Sequence, residues 1–129
     1  MTKSFLKVAA LSLLMLPTSV LLKAQNSPYS SYLFAFFSNN SPRGEQIRYA
    51  VSDDGFDYTS LNMGRPVVSS DTIAIKKSIR DPHIMRAEDG KTFYMVLTDM
   101  RSSQGWQSND GLILMKSTDL LHWEHTAID

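Results

Sequence analysis

The chain has 129 residues, with 13 basic and 13 acidic side chains and no cysteine. A chain of this length forms at most one domain. The absence of cysteine excludes disulfides, cysteine-ligated metal sites and thiol catalysis, and the balanced charge gives no reason to expect nucleic acid as a partner.

The first 25 residues predict a secretory signal peptide. Lys3 and Lys7 form a basic start, residues 8–22 are mostly apolar, and Ala24 supplies the small residue that precedes a cleavage point. The apolar stretch is too short and too broken by proline for a comfortable membrane span. We therefore expect cleavage after residue 24 or 25, no membrane span in the mature chain, and a secreted or periplasmic location.

The remaining residues, 26–129, are expected to form an all-β structure. The aromatic run at 32–37 has the length of a strand, and its continuous apolar character predicts burial on both faces. Further strands are predicted over 45–51, 83–86, 92–98 and 111–115, with a short edge strand at 65–68. Turns rich in Asn, Asp, Gly and Pro separate them, and no segment has a helical period with caps.

One structural unit occurs twice along the chain. Each copy has an apolar strand, a polar loop, a second strand, a Ser-x-Asp turn and an aromatic residue. The matching residues are Ser52, Asp54 and Tyr58 in the first copy and Ser117, Asp119 and Trp123 in the second. The two aspartates are predicted to form turns, because their side chains can accept backbone N–H bonds.

Repeated β units of this size favour a β-propeller, whose blades have about four strands each. A plain antiparallel sandwich with a chance similarity is the alternative. Two units cannot close a propeller, which needs about four to eight blades. We therefore expect the chain to be the N-terminal part of a longer protein, and to be unstable alone because its buried-type strands lack partner blades.

The stretch from Ser78 to Met85 contains the candidate chemistry. Arg80 and Asp81 stand directly before Pro82. Proline fixes its own φ and disfavours the helical region for the residue before it, so Asp81 is predicted to be extended. Two interpretations follow from these residues: a surface Arg–Asp pair at the start of a strand, or a catalytic carboxylate at the mouth of a β-architecture.

Three motifs in order resemble glycoside hydrolase family 43, the five-bladed propeller glycosidases that include arabinosidases and xylosidases. They are Arg-Asp-Pro-His-Ile at 80–84, Gly-Lys-Thr-Phe-Tyr-Met-Val at 90–96, and a strand and Ser-x-Asp-Leu turn ending in Trp at 113–123. The resemblance covers residues from about 32 onward. It implies an all-β, five-bladed propeller of which this chain holds about the first two blades.

The resemblance also implies a secreted hydrolase that cleaves O-glycosidic bonds of arabinose- or xylose-containing polysaccharides by an inverting acid/base mechanism. Such a mechanism uses two carboxyl groups about 6.5–9.5 Å apart with a water between them. By motif order Asp81 matches the family's catalytic base, and the alternative match is the carboxylate that tunes the acid. Neither a metal nor another cofactor is predicted.

The family's general acid is a Glu from a later blade, and Glu45, Glu88 and Glu124 do not match its motif. We therefore expect the 129-residue chain to be inactive by itself.

Four further residues are candidate substrate contacts. Arg80 can steer a sugar or the neighbouring carboxylate, and His83, two residues after Asp81, is predicted to lie on the same strand face. Trp106, in a long polar loop, can stack on a sugar ring or anchor the loop. Asp99 ends a buried strand, where it either lines the mouth of the site or caps a turn.

Two other functions remain open from the sequence. The first is a β-fructosidase, a group in which an Arg-Asp-Pro motif also occurs, although its opening Trp-x-Asn-Asp-Pro segment has no match in this chain. The second is a propeller that binds carbohydrate without catalysis, or that is purely structural.

Overall fold

The computed structural model describes residues 29–129, and the predicted signal peptide lies outside them. The strands are β1 (Tyr32–Phe36), β2 (Arg48–Ser52), β3 (Thr59–Ser60), β4 (Ile79–Arg86), β5 (Phe93–Asp99), β6 (Gly111–Ser117) and β7 (Glu124–Ile128). Helical structure is limited to one turn of α-helix, α1 (Ser70–Ile73), and to 3-10 turns at Asn62–Gly64, Ser102–Gln104 and Trp106–Ser108. Among the described residues, none of the helices has the length and apolar character needed to cross a bilayer.

The strands form two antiparallel sheets, each of which follows chain order. The first has the order β1-β2-β3 and the second β4-β5-β6-β7. The predicted edge strand at 65–68 is reduced to a single bridge between Ile47 and Val68. An antiparallel, sequentially connected sheet of four strands is the arrangement of a propeller blade.

The core lies between the two sheets. Burial alternates strictly along β6, because successive side chains of a strand point to opposite faces. The residues that fill the core are Ile47, Tyr49, Val68, Ala74, Ile79, Met95, Leu97, Ile113 and Met115. Both sheets contribute to this cluster, so each sheet is stabilised by the other.

The aromatic strand β1 is not buried on both faces, and that prediction is wrong. Leu33 packs against the core, whereas Tyr32 and Phe34 are 56% and 51% exposed. On the outer face Phe34 stacks on Phe36, with ring centroids 5.3 Å apart, and contacts Tyr58 at 5.6 Å. The sequence pattern could not show this, because a strand covered on one side and a strand covered on two sides can both be continuously apolar.

The second sheet also has an apolar outer face. The exposed side chains there come from β4, β5, β6 and β7, and they are Met85, Tyr94, Leu112, Leu114 and Ile128. Met85 pairs with Tyr94, and Leu112 pairs with both Ile128 and Thr98, which lies four residues after Tyr94. Leu114 lies two residues after Leu112, so all five side chains share one face. Both sheets therefore present apolar side chains on the faces that point away from the core.

The two Ser-x-Asp turns have the same hydrogen bonds, as their sequence repeat predicts. In the first turn the Ser52 hydroxyl donates to Asp54 Oδ1 at 2.8 Å, and in the second the Ser117 hydroxyl donates to Asp119 Oδ1 at 3.1 Å. Each aspartate also accepts two backbone N–H bonds from the residues that follow it. The prediction that both aspartates form turns is confirmed.

Candidate active site

Asp81 has an unusual backbone conformation. Its φ is +49°, in the left-handed region, and its side chain is exposed. The predicted extended conformation is therefore wrong, although Asp is one of the few residues that tolerate this region. A non-glycine residue held there costs about 1–3 kcal/mol, and such strain is concentrated at functional sites.

A β-bulge explains this conformation. Arg80 and His83 are both paired to β5, but the ladder is irregular between them, so that Asp81 and Pro82 together oppose the single residue Leu97. A bulge bends the strand and re-aims side chains, and bulges are frequent beside active sites. Ladder partners on either side impose this local geometry on Asp81, against the preference that Pro82 exerts on the residue before it.

The bulge also changes the position of His83. Its predicted place on the same face as Asp81 assumed regular alternation, and the extra residue breaks that alternation. His83 is exposed at the edge of a small depression of about 180 Å³, which Met85, Tyr94 and Leu114 also line. Its contact with a sugar stays a prediction.

Arg80, the residue before the bulge, is held in a polar cluster. The residue is 9% exposed, and its Nη1 donates to Ser102 Oγ at 2.6 Å and lies 3.4 Å from Glu45 Oε1. The guanidinium also stacks on the Phe37 ring, 4.7 Å from its centroid. The guanidinium group thus contacts other protein groups, and the role of Arg80 as a substrate contact stays a prediction.

Glu45 is the residue that sequence reasoning missed as part of this site. It is 1% exposed, and its Oε1 accepts a hydrogen bond from the Ser102 backbone N–H at 2.9 Å and contacts the Ser102 hydroxyl. No local signal in the sequence marked it, because its partners Arg80 and Ser102 lie 35 and 57 positions away.

Opposing effects set the charge state of Glu45. Burial raises its pKa, but hydrogen bonds from Ser102 and Ser78 and the charge of Arg80 outweigh burial and leave the pKa below its ordinary value. The carboxylate is therefore ionised and paired. It is unsuited to serve as a proton-donating acid, and it acts as an internal counter-ion of Arg80.

Asp99 is a buried backbone cap. It is 1% exposed, its Oδ2 accepts the N–H of Ile75 at 2.6 Å, and its Oδ1 accepts the N–H of Lys76 at 2.9 Å. Of the two roles open from the sequence, this geometry favours the cap. The bonds join the end of β5 to the segment that leads into β4.

Trp106 belongs to the loop between β5 and β6 and lies on the protein surface. It is 78% exposed, so it is not the residue that anchors this loop to the body. Ser102 joins the loop to the body through Arg80 and Glu45. The Ser108 hydroxyl closes the loop on itself, since it is within hydrogen-bond distance of the carbonyls of Arg101 and Gly105, at 2.9 and 2.7 Å. The same loop supplies Ser102, so Trp106 lies at the same end of the sheet as the Asp81 bulge.

The carboxyl groups considered for acid/base chemistry differ in their surroundings. Asp81 is exposed and can accept a proton, whereas Glu45 is buried and paired. Glu88 is exposed in the hairpin between β4 and β5, at the far end of β4, and Glu124 begins β7 opposite Lys116. An exposed carboxylate such as that of Asp81 can activate a water or orient a sugar hydroxyl.

The two antiparallel sheets have the arrangement of partial propeller blades. The structure resembles Bombyx mori GH32 beta-fructofuranosidase BmSUC1 with a TM-score of 0.53 and 22% sequence identity, over 78% of this chain and 22% of that one. At this identity the likeness concerns the fold alone. The prediction of an all-β chain that forms part of a propeller is confirmed.

The sequence identifies the family. Residues 27–129 match the family model described as a probable glycosyl hydrolase domain, which is related to glycoside hydrolase family 43, and the chain belongs to this family. It is also 29% identical over 115 residues to an alpha-L-arabinofuranosidase of Bifidobacterium longum subsp. longum. That alignment covers 83% of this chain but 11% of the relative. The family resemblance predicted from the three motifs is confirmed.

Proposed function

We propose that the protein is a secreted glycoside hydrolase that cleaves arabinosyl or xylosyl bonds of polysaccharides by an inverting mechanism, with Asp81 as the general base. Membership of the glycosyl hydrolase family and the likeness to an arabinofuranosidase support this proposal. The observation that carries the residue assignment is the exposed carboxylate of Asp81, held at φ +49° on a bulge at the end of a sheet.

In this mechanism Asp81 removes a proton from the water that attacks the anomeric carbon. A second carboxylic acid protonates the leaving oxygen on the opposite side of the sugar. The acid is proposed to come from a later blade. Trp106 is proposed to stack on a sugar ring, because an exposed indole offers a broad apolar face.

We further propose that this chain is the N-terminal part of a larger propeller and is inactive without the rest. The outer faces of both sheets support this, since exposed apolar patches usually mark surfaces that another element covers. A further four-stranded blade packed on Tyr94, Leu112 and Leu114 would cover the outer face of the second sheet. The basic, then apolar, start of the sequence supports secretion.

The test is Asp81→Asn in the whole protein, assayed with aryl arabinofuranoside and aryl xyloside. Asn is nearly isosteric but cannot accept the proton, and loss of a general base costs about 10²–10⁴-fold in rate. Asp57→Asn is the matched control, because Asp57 is exposed in the turn that follows β2. Thermal melting shows whether each variant is folded.

Several outcomes discriminate among the candidates. A folded Asp81→Asn variant with turnover within about threefold of the parent would contradict the base assignment, because the expected loss is far larger. Residual activity of a few per cent without rescue by azide or formate would favour the acid-tuning carboxylate. Turnover of sucrose in place of both aryl glycosides would favour the β-fructosidase alternative, and binding without any turnover would favour a non-catalytic propeller.

A further inference from the structure

We propose that Glu45 is a positioning residue for Asp81, which acts through Arg80 and Ser102 to hold the bulge in its productive form. The inference rests on the proposed function, since the position of Asp81 affects turnover only if Asp81 takes part in it. Glu45 belongs to the first sheet's entry segment, whereas Asp81 belongs to the second sheet.

Glu45 holds both residues that precede Asp81. Its carbonyl accepts the backbone N–H of Ile79 at 3.0 Å, and its Oε1 lies 3.4 Å from Arg80 Nη1. One residue thus fixes the backbone and the side chain at the start of β4. The bulge begins at the next residue, so its starting point is set from the neighbouring sheet.

Ser102 extends this connection to the loop that carries Trp106. Its hydroxyl accepts the hydrogen bond from Arg80, and its backbone N–H donates to Glu45. Three segments that are far apart in sequence meet at this point: the entry to β2, the start of β4 and the loop between β5 and β6. Any displacement of Glu45 would therefore move the Asp81 bulge and the Trp106 loop together.

A gain in stability does not explain the burial of this charged pair. Buried ion pairs are often no more stabilising than apolar side chains of similar volume, because both charges must be removed from water. Within the described residues, Glu45 Oε2 and Arg80 Nε also have no hydrogen-bond partner. The cluster leaves buried polar atoms without partners and adjoins an exposed aspartate with a strained backbone. A role in positioning Asp81 therefore explains the cluster better than a gain in stability does.

The test compares kcat and KM of Glu45→Gln with those of Glu88→Gln in the whole protein. Glu88 is the matched control, since it undergoes the same change in an exposed hairpin. For Glu45→Gln we expect kcat to fall by about tenfold or more with KM within about twofold, because small misplacements of a catalytic group cost up to about 10²-fold. We expect Glu88→Gln to match the parent in both kcat and KM.

Two further variants keep the test decisive if Glu45→Gln fails to fold. Arg80→Lys keeps the charge but loses the planar fork, and Ser102→Ala removes one hydroxyl. Each should lower kcat with little change in KM. Parental kcat in these folded variants, even with a lower melting temperature, would show a merely structural cluster and overturn the inference.

Asp81→Asn separates this failure from failure of the proposed function. An inactive Asp81→Asn variant together with a fully active Glu45→Gln variant refutes only the positioning role. An active Asp81→Asn variant refutes the function from which that role was inferred.

Discussion

Replacement of Asp99 by Asn tests whether this residue is a structural cap. Its two carboxylate oxygens accept the N–H groups of Ile75 and Lys76 at 2.6 and 2.9 Å, and the residue is 1% exposed. Asn has the same shape but a single acceptor oxygen, and its NH₂ group would face one of the two donors. The variant therefore loses one charge-assisted hydrogen bond and weakens the other.

The size of the effect follows from this loss. A hydrogen bond to a charged group contributes about 1.5–3 kcal/mol, so Asp99→Asn should lower the free energy of unfolding by about that amount. Asp99→Ala removes both acceptors and should cost about 3–6 kcal/mol. If the segment opens locally, amide exchange at residues 75 and 76 should accelerate by about ten- to a hundredfold, since about 1.4 kcal/mol corresponds to a factor of ten.

Urea unfolding and amide hydrogen exchange of the whole protein provide the measurement. Asp110→Asn is the matched control, because Asp110 pairs with the Lys76 Nζ at 3.1 Å on the surface and exposed pairs contribute at most about 1 kcal/mol. Unchanged stability and exchange in Asp99→Asn would refute the cap. Parental stability with a raised KM would instead support the predicted contact between Asp99 and substrate.

Two more predictions concern the turns and the exposed loop. Backbone N–H groups of Asp57 and Phe56 hold the pKa of Asp54 at about 2, so this turn stabilises the fold above the unfolded pKa of about 4 and loses that contribution as pH falls toward 2. Melting temperatures at pH 5 and 2.5 should therefore differ more in the parent than in Asp54→Asn, and equal acid sensitivity would contradict this. Trp106→Ala should leave stability within about 0.5 kcal/mol but raise KM roughly two- to tenfold, the loss of one aromatic contact. A parental KM would show that the exposed indole does not touch substrate.

The sequence by itself determined the features that depend on neighbouring residues. The apolar run at 111–115 and the Ser-x-Asp spacing at Ser52 and Ser117 predicted a strand and two turns, because strand propensity and turn hydrogen bonds are set within a few residues. The Asp-Pro pair likewise indicated Asp81 as a candidate functional residue without any knowledge of its contacts. The order of the three motifs identified the family.

The tertiary structure decided the features that depend on residues far apart in the chain. Glu45 reaches Arg80 across 35 positions and Ser102 across 57, and no local pattern encodes such contacts. The bulge that gives Asp81 its positive φ arises from the register between β4 and β5, so it overrode the local preference before Pro82. Packing of one sheet on the other decided which face of each strand is buried, and only that packing showed Asp99 as a cap and Trp106 as exposed.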